Sequence, residues 1–194
     1  MLSKTKLIGS DYLLLLLYLN DREPIKSAVR LTKMMFLFNK EIVPRLKKSG
    51  VDIDVKDLPD FQAYNYGPFS KDVYEQIELF QSIEFVKVKD LYAEEEMDEA
   101  DDWEEQAFID ELDSQASYVS RHDGKLMEYE LLSRGESYVK IRIIDAFTTE
   151  QLAILSDFKT RIVQTPVKVI LKYVYTKYPD MTENSLIKDE VFES

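Results

Sequence analysis

The chain has 194 residues, is 45% apolar and carries 37 acids against 25 bases, a net charge of −12. It has no cysteine, which excludes a disulfide framework and thiolate chemistry and fits a reducing cytoplasm. An isoelectric point near 4.6 speaks against indiscriminate nucleic-acid binding but leaves room for a local basic face.

The acidity is local. Twelve carboxylates and no base lie between Glu94 and Asp113, and outside that stretch 25 acids face 25 bases. The longest apolar run, Tyr12 to Leu19, is far short of a membrane span. The first ten residues lack the cleavage pattern of a secretory leader.

In chain order, Ser10 is placed to cap a helix over Asp11 to Asn20, broken by Asp21-Arg22-Glu23-Pro24. A second helix is expected from Ser27. Leu31, Met34, Met35, Phe38, Ile42 and Leu46 form its apolar stripe. Lys26, Arg30, Lys33, Lys40, Lys47 and Lys48 fall opposite, with Phe36 and Leu37 turned toward the same side. That arrangement reads either as a solvated face or as a contact surface for phosphate, for a protein or for the chain's own acids. Pro44 should kink or divide this helix, and Gly50 should end it.

Val51 to Phe61 reads as loop. Ala63 to Ser70 reads as a turn feeding a helix that Ser70 caps and that buries Val73, Ile77 and Phe80. Glu84–Lys89 and Lys125–Leu132 have strand composition and are expected to pair as an antiparallel hairpin. Residues 90–125 are then an acidic insertion at its tip. A helix follows Ser133 to about Ile144. Thr148 and Gln151 form a capping box for a helix over Thr149–Val163, and Thr165-Pro166 open a last helix that Pro179 ends. The element order predicts one mainly α (α+β) domain over residues 1–194, winged-helix-like with helical additions at the C-terminal end.

Three stretches carry a family resemblance. Arg30-Leu31-Thr32-Lys33-Met34-Met35-Phe36-Leu37 and Tyr64-Asn65-Tyr66-Gly67-Pro68-Phe69-Ser70-Lys71-Asp72-Val73-Tyr74 resemble the corresponding helix and Tyr-Gly-Pro-aromatic-Ser turn of Panacea-type antitoxin domains and related phage-associated winged-helix proteins. Leu171 to Pro179 is similar to the C-terminal helix of that wider group. The resemblance implies a non-enzymatic domain, some of whose relatives neutralise toxins by direct binding or as adaptors. Such domains usually carry a separate toxin-specific piece, a part the acidic insertion would play here.

The Gly67-Pro68 turn has two readings: a tight helix entry packed by Tyr64, Tyr66 and Phe69, or an aromatic pocket for a partner. The acidic stretch has three: a solvated loop, a phosphate mimic, or an acidic amphipathic helix built on Phe108, Ile109 and Leu112 beside Trp103. In the docked form it would cover Arg30, Lys33, Lys40 and Lys47. His122, the one histidine, has no cysteine or second histidine to share a zinc ion and reads as a loop residue. Asp52, Asp54, Asp57 and Asp60 do not complete a nuclease site, and neither a phosphate-cradling glycine loop nor a nucleophile motif is present. No catalytic, metal or cofactor residues are assigned, and no membrane partner is expected. The expected function is capture of a protein partner, such as a toxin or a phage or host protein. A sequence-specific DNA-binding regulator is the alternative. The residues expected to carry binding are Arg30, Lys33, Phe36, Leu37, Lys40, Lys47, Tyr64, Tyr66, Gly67, Pro68, Phe69 and Trp103.

Overall fold

The computed structural model describes residues 7–91 and 127–192. Trp103, His122 and all of the acidic insertion after residue 91 lie outside the described residues. The described part is mainly helical with a small sheet, an α+β architecture.

Helix α1, Gly9–Arg22, holds the apolar run, and Leu13 to Leu17 are all buried. A helix that is apolar on every side belongs in a core, and each such leucine contributes about 1.5–3 kcal/mol by leaving water. Its cap differs from the Ser10 expectation. The helix starts two residues earlier, at Gly9, and Asp11 reaches back to accept from the Ile8 N–H at 2.9 Å. It breaks at Leu19, and Asn20, Asp21 and Arg22 all take positive φ. The Asn20 side chain anchors that break by donating to Thr160 Oγ1 at 2.9 Å.

After the short strand β1, Ile25–Lys26, comes helix α2, Ala28–Leu37, capped by Ser27. The next turn, Phe38–Ile42, is π-helical, and the Val43 N–H donates to Phe38 O. Helix α3, Val43–Lys48, then starts with Pro44 in its first turn. Proline cannot donate to the carbonyl four residues back and its ring crowds that carbonyl. A widened turn ahead of Pro44 removes the clash, so the expected division of the helix takes this form. Gly50 follows at φ +91, as an end signal should.

Residues 62–70 correct the sequence reading. They form a tight hairpin of β2, Gln62–Tyr64, and β3, Gly67–Phe69, with Tyr64 opposite Gly67. Helix α4, Lys71–Ser82, buries Val73, Ile77 and Phe80 as expected. Ser70 occupies its N-cap, but the side chain makes no capping bond.

Strands β4, Val86–Asp90, and β5, Met127–Leu131, pair antiparallel with Val88 opposite Tyr129. Met127, Tyr129 and Leu131 all face the core, as period-two geometry requires. Strand β1 adds to the other edge of β5, which gives the order β1-β5-β4. Helix α5, Ser133–Arg142, leads to α6, Thr149–Gln164, whose capping box joins Thr148 and Gln151 reciprocally. Helix α7, Val167–Lys177, and a short α8, Lys188–Phe192, complete the chain.

Deleting Ala93 to Ser114 removes no residue of β4 or β5. We expect the shortened chain to unfold cooperatively, within about 1 kcal/mol of wild type, since loop-closure entropy changes slowly with length. Circular dichroism melts check this, and loss of the cooperative transition would assign core residues to the deleted stretch.

Candidate functional site

Helix α2 has no solvated face. All ten of its residues are buried, Arg30, Lys33, Phe36 and Leu37 included. This corrects the expected basic surface. Strands β1 and β3 and helices α6 and α7 all pack against α2, so the side opposite the apolar stripe is covered too. Phe36 is a core ring, set edge-on against Phe61 and Tyr178 at centroid distances of 5.4 and 5.0 Å. Arg30 and Lys33 are therefore not available for the acidic stretch to cover.

Buried cations must be satisfied, and here backbone carbonyls do it. The Arg30 guanidinium donates to Ile162 O at 2.6 Å, Val163 O at 3.0 Å and Thr165 O at 2.5 Å. Those are the orphan carbonyls at the C-terminal end of α6, where a positive charge also complements the helix dipole. Lys159 performs the same task for α1. Its ammonium donates to Leu17 O at 3.4 Å, Leu19 O at 2.7 Å and Glu23 O at 2.6 Å, where the helix breaks. Burial pulls its pKa down to about 8, against an opposing pull from Glu23. Sequence reasoning missed Lys159. The signal was its position on the apolar stripe of Leu155, Phe158 and Ile162.

Lys33 differs from both. Its ammonium donates to Pro68 O at 2.9 Å, and no carboxylate among the described residues pairs with it. Burial alone pulls its pKa down to about 7. Around it the 62–70 hairpin and α4 place Tyr64, Tyr66, Phe69 and Tyr74, which with Val29 and Thr32 line a cavity of about 30 Å³. The rings form a ladder, Tyr64 to Phe69 at 5.1 Å and Phe69 to Tyr74 at 5.6 Å. Gly67, at φ +80, closes the hairpin against Tyr175, and a Cβ there would meet the Tyr175 ring at 2.9 Å. The hairpin residues expected at a pocket thus do meet, together with Lys33.

Lys40 and Lys47 are exposed and lie elsewhere. With Lys56 they border a cleft of about 570 Å³ whose floor includes Val43, Leu58, Pro59 and Phe61. Lys40 Nζ stands 5.8 Å from the Phe36 ring centroid. Leu37 contributes to a separate apolar groove of about 330 Å³ between the α3 region and helices α6 and α7, bordered by Arg45 and Arg161. Glu41 ties these parts together by accepting from Tyr173 Oη at 2.8 Å, Lys177 Nζ at 3.0 Å and Tyr178 Oη at 3.0 Å. Burial opposes its ionisation, but those hydrogen bonds, that of Lys177 foremost, hold its carboxyl below the usual range.

Among the described residues no three histidines or acids converge to hold a metal ion. Asp54 instead caps a short 3-10 turn by accepting from the Lys56 N–H, and the Asp60 N–H donates to Asp72. No helix of the described residues is long and apolar enough to cross a membrane. The molecule is thus a mainly helical α+β protein with a lysine-rimmed apolar cleft and a lysine-based aromatic cavity. A scan against protein-family models and searches of curated proteins and solved structures found no match.

Proposed function

We propose that this protein is a non-enzymatic interaction module, antitoxin-like or mobile-element-associated, that captures an acidic protein segment bearing apolar anchors. The observation that carries this reading is the cleft beside α3, where three lysines stand over an apolar floor. Cations around exposed apolar surface select a partner with acids around apolar side chains. The winged-helix reading is supported by the run α1-β1-α2, then α4-β4-β5, and by the strand order β1-β5-β4. A winged helix also raises the DNA-binding alternative, with α4 as the helix for the major groove. Its charge argues against that use, because Lys71 faces Asp72, Glu75 and Glu78, a net of −2 on a helix that would have to approach phosphate.

The test is pairwise binding of the full chain to the products of its neighbouring genes, and to duplex DNA at low and moderate salt. The triple variant Lys40→Glu, Lys47→Glu, Lys56→Glu should bind the protein partner at least about tenfold more weakly, as reversal of several contact charges requires. A complex indifferent to these changes would count against the cleft. DNA binding with a steep salt dependence would transfer the function to the alternative class.

A further inference from the structure

We propose that the aromatic cavity at Lys33 is a binding site for a single carboxylate group, with the Lys33 ammonium as its counterion. The site is distinct from the lysine-rimmed cleft and does not depend on the reading given to that cleft.

Three observations converge on it. The first is an amine buried in the core without an acid among the described residues. Arg30 and Lys159 each satisfy three backbone carbonyls, whereas among the described residues Lys33 donates to Pro68 O alone. An ammonium has three donors, so two remain for a ligand. The second is the space. A water needs about 10–15 Å³ of such volume, and the cavity offers about 30 Å³. That suits the two oxygens of one carboxylate, and it excludes a sugar, a nucleobase or an aldehyde cofactor. The third is the wall. Tyr64, Tyr66, Phe69 and Tyr74 line the space with rings, and apolar walls strengthen an ion pair by limiting water around it.

Charge balance decides what enters. Among the described residues, the other titratable groups lining the cavity are the phenols of Tyr64 and Tyr66 from the hairpin and Tyr74 from α4. The Tyr175 phenol of α7 lies against Gly67 and is engaged by Ser185 at 2.7 Å. Among the described residues no charged group offsets the burial that pulls the Lys33 amine down to about 7. A carboxylate that enters brings a negative charge, and the amine takes up one proton from solution to meet it. Phosphate carries more charge than one ammonium can neutralise and is too bulky for the cavity. A carbamate formed on the amine would bury an anion with no cation beside it.

The carboxylate has two sources: a free small acid, or an acidic side chain of a protein. The probes are formate, acetate and a neutral-sequence peptide with one glutamate, each added to the full chain labelled with ¹³Cε-lysine. In chloride the Lys33 resonance, assigned by its loss in Lys33→Met, should titrate near 7. At about 0.1 M formate or acetate, with ionic strength matched so that screening is equal, its midpoint should rise by about one pH unit, a tenfold preference for the protonated pair. Lys159, already satisfied by three carbonyls, serves as the internal reference and should not move. A shift produced by the peptide at much lower concentration identifies a protein side chain as the source. A shift with the small acids only identifies a free acid. Lys33 midpoints that coincide in chloride, formate and acetate, or a resonance that phosphate moves as much as formate does, would overturn the site.

Discussion

Arg30→Met is expected to destabilise the protein by about 3–5 kcal/mol, since each buried carbonyl left without its donor costs about 1–3 kcal/mol. The change strands the carbonyls of Ile162, Val163 and Thr165, which the guanidinium meets at 2.5–3.0 Å. It also removes the positive charge at the end of α6, where the helix dipole is negative. Arg30→Lys keeps the charge but offers a point in place of a planar fork, so roughly half of that loss should remain. Domains are stable by about 5–15 kcal/mol, so the methionine variant lies near the limit of folding. Urea unfolding measures both variants. A surface arginine would predict changes within about 0.5 kcal/mol, and a result in that range would mean that α6 ends without help from Arg30.

The same residue marks what was legible in the sequence. Local signals are legible. The Thr148–Gln151 capping box, the hairpin of β4 and β5 and its inward face, the end at Gly50 and the interruption ahead of Pro44 all follow from spacing or from single-residue stereochemistry. The number of neighbours around α2 was not legible. Helical periodicity places Leu31, Met34, Met35 and Phe38 on one side and therefore puts Arg30, Lys33, Phe36 and Leu37 on an exposed side, solvated or open to a partner. Besides the adjacent β1, three elements from distant parts of the chain, β3, α6 and α7, pack against α2, and a helical wheel contains no information about them. Lysine and arginine are seldom buried, so composition reinforced the error. Hairpin 62–70 was hidden for a different reason. Its strands are three residues each and one contains Pro68, which argues against a strand unless it lies at an edge. Of the expected site, the Tyr64, Tyr66, Gly67, Pro68 and Phe69 group was brought together, Lys33 proved to be its base, and Lys40 and Lys47 remained at the surface in another cleft. Trp103 lies outside the described residues.

Wild-type stability is expected to rise with pH between about 7 and 9.5. Lys33 titrates at about 7 in the folded chain, against an ordinary 10.5, and Lys159 at about 8. Between those values and 10.5 the unfolded chain binds more protons than the folded one, and stability then rises with pH by up to about 1.4 kcal/mol per unit per group. Over the window Lys33 should contribute on the order of 3 kcal/mol and Lys159 on the order of 2 kcal/mol by the same relation. The upper limit is set by phenols. Burial raises Tyr12, and raises Tyr175 and Tyr178 to about 12, so the unfolded chain ionises first above pH 10 and stability falls again. Glu41 adds no slope, since its contribution is complete once the unfolded carboxyl has ionised. The two lysines separate by mutation. Lys33→Met frees only Pro68 O, so it should stabilise the protein most near pH 6.5 and lose that advantage by pH 9.5. Lys159→Met frees three carbonyls and should destabilise throughout. Urea titrations at half-unit pH steps give the curves. Parallel curves for wild type and Lys33→Met would mean that Lys33 keeps its proton in the folded protein, with a counterion supplied from outside the described residues.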